Sequence, residues 1–114
     1  EDTDIREYTK KGTVETAFDV LVCDVSFISV RLLAKSFYKL LKFNGVGIIL
    51  VKPQFEVGKG NTKKGIVREE SLREEALADV VSEFTDCKFK IMGTCDSPIQ
   101  GSDGNHEYFL RVQK

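Results

Sequence analysis

Three charged residues stand where apolar runs begin or end. Asp24 closes "FDVLVCD", Lys52 closes "VGIILVK", and Glu107 opens "EYFLRVQK". A lysine flanked by carboxylates is held in place by opposite charge. It can orient a hydroxyl or take its proton. Pro53 follows Lys52 directly and cannot donate a ladder hydrogen bond, so the chain must leave the sheet there. Taken singly, each charge is ordinary solvated chemistry at a strand end, and Lys52-Pro53 alone is equally a strand terminator. Convergence of all three on one edge would make a site.

That convergence depends on the elements between them. "FDVLVCD" and "VGIILVK" are short apolar runs without alternation, as expected of parallel strands covered on both faces. Between them, Leu32, Leu33, Phe37, Leu40 and Leu41 recur at helical spacing, with Lys35, Lys39 and Lys42 opposite. Asn44-Gly45 is the expected stop of that helix. The glycine- and charge-rich stretch from Pro53 to Glu70 reads as a long loop. Ser71 and Glu74 have the spacing of a capping box. They precede an apolar face of Leu72, Ala76, Leu77, Val80, Val81 and Phe84. Residues 88–97 read as a third strand and residues 107–114 as a fourth.

The order strand, helix, strand, loop, helix, strand, strand predicts an α/β fold with a mostly parallel sheet and right-handed crossovers. The last two strands are joined by a connection too short for a crossover helix, so the last strand should run antiparallel. Its beginning then lies beside the ends of the parallel strands, where ligands collect in such sheets.

The 114 residues allow one modest domain. At 41% apolar the chain can bury a core, and a net charge of −1 gives no overall pull toward polyanions. Cys23, Cys87 and Cys95 lack metal-ligand spacing and fit a reduced, cytoplasmic protein. No apolar run approaches the ~18 residues of a membrane span. The polar lead-in, residues 1–17, is unlike a signal peptide and has no Met, which suggests a piece of a longer protein.

"CDVSFIS", "LVKPQFEVGKG", "KKGIVR" and "SPIQGSDGNHE" occur in that order at natural distances. Together they resemble the hemolysin-A/TlyA-type proteins, which are FtsJ-like ribose 2′-O-methyltransferases of ribosomal RNA. The resemblance covers roughly residues 18–114. It implies the carboxyl-terminal half of a Rossmann-like methyltransferase domain, with S-adenosylmethionine as cofactor and ribosomal RNA or ribosomal subunits as partner. Of the family's Lys-Asp-Lys-Glu tetrad, the Asp matches Asp24, the second Lys matches Lys52 and the Glu matches Glu107. The second Lys would handle the ribose hydroxyl, supported by the two acids. Cofactor contacts are implied at Asp24, Val25, Ser26 and Phe27. Nothing here matches the family's first Lys, its Gly-rich cofactor loop or its small RNA-binding domain. The chain alone is therefore expected to bind cofactor poorly and to be inactive.

Lys59, Lys63, Lys64 and Arg68 form the most concentrated positive patch and are candidates for contact with RNA phosphates; a solvated loop is the plain alternative. His106 has no partner ligands in sequence and reads as a turn residue. Two other classes compete. A phosphorelay receiver would also place an Asp and a Lys-Pro at strand ends, but the spacing from Asp24 to Lys52 is too short for its strand order. A non-catalytic RNA or protein interaction module is the other. A membrane-active toxin has no spanning or strongly amphipathic basic helix to support it. Finally, the strand Val20–Asp24 is expected to present an apolar edge that self-associates.

Overall fold

The computed structural model describes residues 18–26, 28–58, 62, 66–98 and 104–114. Strand β1 (Phe18–Cys23) leads through a 3-10 turn (Val30–Leu33) into helix α1 (Ala34–Leu40). Strand β2 (Leu41–Val51) then ends in a second 3-10 turn (Pro53–Phe55). Helix α2 (Glu70–Asp86) and strands β3 (Lys90–Asp96) and β4 (Tyr108–Gln113) complete the fold. The sheet order is β1-β2-β4-β3. β1 and β2 are parallel, and β4 is antiparallel to both β2 and β3. Three strands thus share one direction and the last opposes them, as the sequence predicts.

Both helices cover one face of the sheet. Each crossover advances the same way across the sheet, so a common right hand puts both helices on the same side. There Phe37, Val80, Phe84 and Phe89 pack on Cys23, Ile49, Val51, Leu110 and Val112. Gly47 has a packing reason: a Cβ at that position would overlap the ring of Phe37. The opposite face corrects the expectation that β1 is doubly buried. Val20 and Val22 are 58% and 69% exposed, because among the described residues no element lies over them. On the same face of β2, Ile48 and Leu50 are half-buried.

Three local expectations are also corrected. First, the helix does not run to Asn44-Gly45 but ends at Leu40. The chain terminus captures that end: Lys114 Nζ donates to the carbonyls of Tyr38 and Leu41 at 2.9 and 3.0 Å. Lys114 also exchanges backbone hydrogen bonds with Asn44 and Gly45. Tertiary contacts here outweigh local spacing, and Leu32, counted on the apolar face, is 58% exposed. Second, Ser71 is not an N-cap. Glu69 occupies that position and makes no side-chain cap. Third, β3 begins at Lys90 because Lys88 turns left-handed, with φ of 77°. Its N–H bonds Thr85 O, and Phe89 N–H bonds Phe84 O, which closes α2 as a glycine usually would.

Two outcomes are expected from this architecture. Gly47→Ala should lower the stability of the fold by about 1–3 kcal/mol, the usual cost of overpacking, measured by denaturant unfolding. An unchanged midpoint would contradict the Phe37 contact. The isolated chain should self-associate through the β1 edge with its bare Val20 and Val22. Sedimentation at high concentration should show dimers or larger species, and a clean monomer would rule this out.

Candidate active site

β1 pairs with β2 up to Cys23 opposite Ile49, and β2 pairs with β4 up to Val51 opposite Tyr108. Asp24, Lys52 and Glu107 are the next residues on their three strands, so all three stand at one edge of the sheet. Lys52 is half-buried, with 13% of its side chain exposed. Its Nζ lies 2.5 Å from Asp24 Oδ1, and Asp24 is 59% exposed. Nζ also donates to Ser26 Oγ at 3.0 Å.

Glu107 is arranged differently. It is buried, and its Oε2 accepts a hydrogen bond from Gln54 Nε2 at 2.8 Å. No ion pair joins it to Lys52 among the described residues. The lysine therefore has one carboxylate and one hydroxyl as partners, and the second acid stands at the same edge on a partner of its own. With Nε2 bound to Glu107, Gln54 Oε1 is buried and unpaired. Gln54 belongs to the turn that Pro53 starts. Phe55 N–H bonds Lys52 O and Glu56 N–H bonds Pro53 O, both at 2.9 Å.

Glu56 closes that turn. Its side chain is 1% exposed, yet it is a carboxylate surrounded by donors. Ser29 Oγ and Arg31 Nε donate to Oε1 at 2.5 and 3.1 Å, and Val30 N–H donates to Oε2 at 2.9 Å. Burial pushes the carboxyl above its ordinary value, while the Ser29, Val30 and Arg31 bonds pull against that. Val30 opens the 3-10 turn ahead of α1, so Glu56 supplies a negative charge at that helical start from a distant loop. Hydrogen bonds to charged groups contribute roughly 1.5–3 kcal/mol each. A pair such as Lys52–Asp24, whose carboxylate is open to screening by solvent, contributes about 0–1 kcal/mol. The Glu56 cluster is the stronger join.

The remaining candidates are scattered or lie beyond description. Val25 is half-buried and Ser26 exposed; Phe27, Lys59, Lys63 and Lys64 lie outside the described residues. Arg68 is exposed and follows Val67, whose buried N–H donates to Asn105 Oδ1 at 3.1 Å. His106 Nε2 lies 3.3 Å from Asp96 Oδ1 without hydrogen-bond geometry, and its ring packs on Tyr108. Among the described residues no cluster of His, Cys, Asp or Glu could hold a metal ion. Sequence reasoning missed Gln54 and Glu56. Their one signal is position, since both follow a proline that must turn the chain at a strand end.

The FtsJ-like methyltransferase family model matches residues 1–114. The chain belongs to that family. This sets aside the receiver as a description of its ancestry. Hemolysin A of Brachyspira hyodysenteriae is 38% identical over 109 residues, covering 95% of this chain and 45% of that protein. The 16S/23S rRNA (cytidine-2′-O)-methyltransferase TlyA of Mycobacterium tuberculosis is 36% identical over 93 residues, 81% of this chain and 35% of that protein. A solved structure described as a hemolysin, from Streptococcus thermophilus, has a TM-score of 0.92 and 37% identity. It covers 100% of this chain, which spans 42% of that one. The chain thus spans less than half the length of these relatives. No helix among the described residues is long and apolar enough to cross a membrane.

Cys23 borders this FtsJ-like site, and its thiol is pushed up to about 11 by burial and by the Asp24 carboxylate, with Lys52 opposing. The thiolate is the reactive form. Iodoacetamide at pH 8 should therefore modify exposed Cys95 and spare Cys23, read by peptide mass mapping. Labelling of Cys23 at a comparable rate would contradict the packing described for the end of β1.

Proposed function

We propose that the chain is part of an S-adenosylmethionine-dependent methyltransferase acting on ribose 2′-hydroxyls of ribosomal RNA. In this reading Lys52 handles the hydroxyl, with Asp24 and Glu107 in support. The observation that carries it is the placement of the Lys52 ammonium. In an FtsJ-like chain, it is held at the strand ends by Asp24 and Ser26. An ammonium has three N–H donors. Two are committed to Asp24 and Ser26, and the third is left for an incoming oxygen. Holding that oxygen in one place supplies much of the rate enhancement open to such a site.

The donor set suits the methyl donor. More than half of the Asp24 side chain remains open at this edge, and a carboxylate there favours a cationic ligand. Asp24, Val25, Ser26 and Phe27 would hold it. When bound, S-adenosylmethionine supplies a sulfonium methyl carbon for in-line attack by the hydroxyl oxygen, and the electron pair of the C–S bond stays on sulfur. Lys52 would first give one proton to Asp24, and the amine so formed would take the hydroxyl proton as the oxygen is methylated; the Asp24 proton then goes to solvent, and Lys52 is again an ammonium. Gln54 keeps the Glu107 carboxylate at the same edge. Lys59, Lys63, Lys64 and Arg68 would meet RNA phosphates, which positions the substrate without reading its sequence. The rRNA (cytidine-2′-O)-methyltransferase among the relatives supports ribosomal RNA as the substrate class. The 114 residues on their own are expected to bind the cofactor weakly.

The test is methyl transfer from labelled S-adenosylmethionine to ribosomal subunits by the full-length protein. Lys52→Met should lower the rate by about 10²–10⁴-fold, the range for a positioned proton-handling group. Circular dichroism should remain unchanged. A variant that is folded and keeps its rate would overturn the assignment.

A further inference from the structure

We infer that Glu56 is a positioning residue for the Asp24–Lys52 pair: its buried carboxylate clasps the loop leaving β1 to the turn leaving β2. This clasp, rather than the ion pair itself, sets where Lys52 meets Asp24. The inference rests on the role given to Lys52 above.

Past Cys23 and Val51 the two parallel strands part. One chain runs from Asp24 to Ser29 and into the 3-10 turn. The other runs from Lys52 round Pro53 to Glu56. Among the described residues, two side-chain joins link them. The near join is Lys52 with Asp24 and Ser26. The far join is Glu56 with Ser29, Val30 and Arg31, completed by the Arg31 guanidinium donating to the Glu56 carbonyl at 3.3 Å. The near join faces water: Asp24 and Ser26 are exposed, and the lysine stem has many rotamers. The far join is drier at its acceptor, with the Glu56 side chain 1% and Val30 2% exposed, while Arg31 reaches in from the surface. Water competes with the first far more than with the second.

The chemistry of the far join calls for a carboxylate. Its three close contacts are all donors, and they occupy both oxygens. An amide offers one oxygen and two N–H groups. In Glu56→Gln either Val30 N–H faces another donor, or Arg31 Nε–H does while Ser29 must turn its hydroxyl from donor to acceptor. Glu56 has no contact with Lys52 among those described, so it acts on the lysine through the two backbones.

The experiment follows the Lys52 ammonium in the 114-residue chain by ¹⁵N-detected exchange with water. In the unsubstituted chain its protons should exchange more slowly than those of exposed Lys35 and Lys39. Glu56→Gln should accelerate that exchange several-fold. Ser29→Ala, which leaves two of the three donors in place, should do so by a smaller factor; it serves where Glu56→Gln unfolds. Lys114 is the control, because its ammonium bonds the carbonyls of Tyr38 and Leu41 at the other end of β2. Its exchange should stay unchanged, whereas general loosening of the fold would move both signals. Unchanged Lys52 exchange in a folded variant overturns the inference, as does equal acceleration at Lys114. The readout needs no methyl transfer. If Lys52→Met keeps its methyl-transfer rate, the functional reading fails and the clasp stands; if Lys52 ignores Glu56, the clasp fails and the reading stands.

Discussion

The site depends on the parallel register of β1 and β2. Cys23 pairs with Ile49 and β2 runs two residues further, to Val51, so Asp24 and Lys52 leave the two strands at the same end of the sheet and on the same face. A slip of one residue would turn Cys23 out of the core and swing Asp24 away from Lys52. The burial pattern forbids that slip on one side only, because Leu21 and Cys23 face the helices while Val20 and Val22 face away. β4 extends the same logic. It enters between β2 and β3 in the opposite direction, with Tyr108 opposite Val51, and so begins where the parallel strands end. Three residues far apart in sequence are brought to one edge by register.

Packing keeps that register. The Phe37 ring lies against Gly47 in the middle of β2, and Phe84 and Phe89 close around it, their ring centroids 6.3 Å from that of Phe37. Glu56 then fixes what the sheet cannot reach, the two loops beyond the strand ends. The energetics divide accordingly. Apolar contacts and a buried, well-partnered carboxylate hold the scaffold, and the exposed pair at the working edge is left weak. In the proposed reaction Lys52 exchanges partners, for which a weak pair suits it better than a strong one.

Much of this was legible in the sequence, and for physical reasons. Apolar runs of strand length, a proline at Lys52-Pro53 and a short final connection dictate the strand directions, so the common edge of Asp24, Lys52 and Glu107 could be read before any coordinates. Other features could not. The partner of Glu107 is Gln54 because of side-chain reach, which spacing does not encode. Glu56 sits among charges that look solvated, and only the fold shows it buried. Helix α1 stops at Leu40 because Lys114, the most distant residue in the chain, binds its last carbonyls. Lys88 takes a left-handed turn that composition assigns to glycine. In the first three cases a long-range contact decided the outcome, whereas the bonds that close the Lys88 turn are local, to Thr85 and Phe84.

In the proposed function the methyl donor binds at the edge that holds Asp24 and Lys52. The most direct measurement is amide shift mapping on the full-length protein as S-adenosylhomocysteine is added. The largest changes are predicted at residues 24–26 and 52–54, with little at the opposite end of the sheet near Asn44 and Lys114. Saturable binding whose changes fall at that opposite end, leaving Asp24 and Lys52 unmoved, would contradict it.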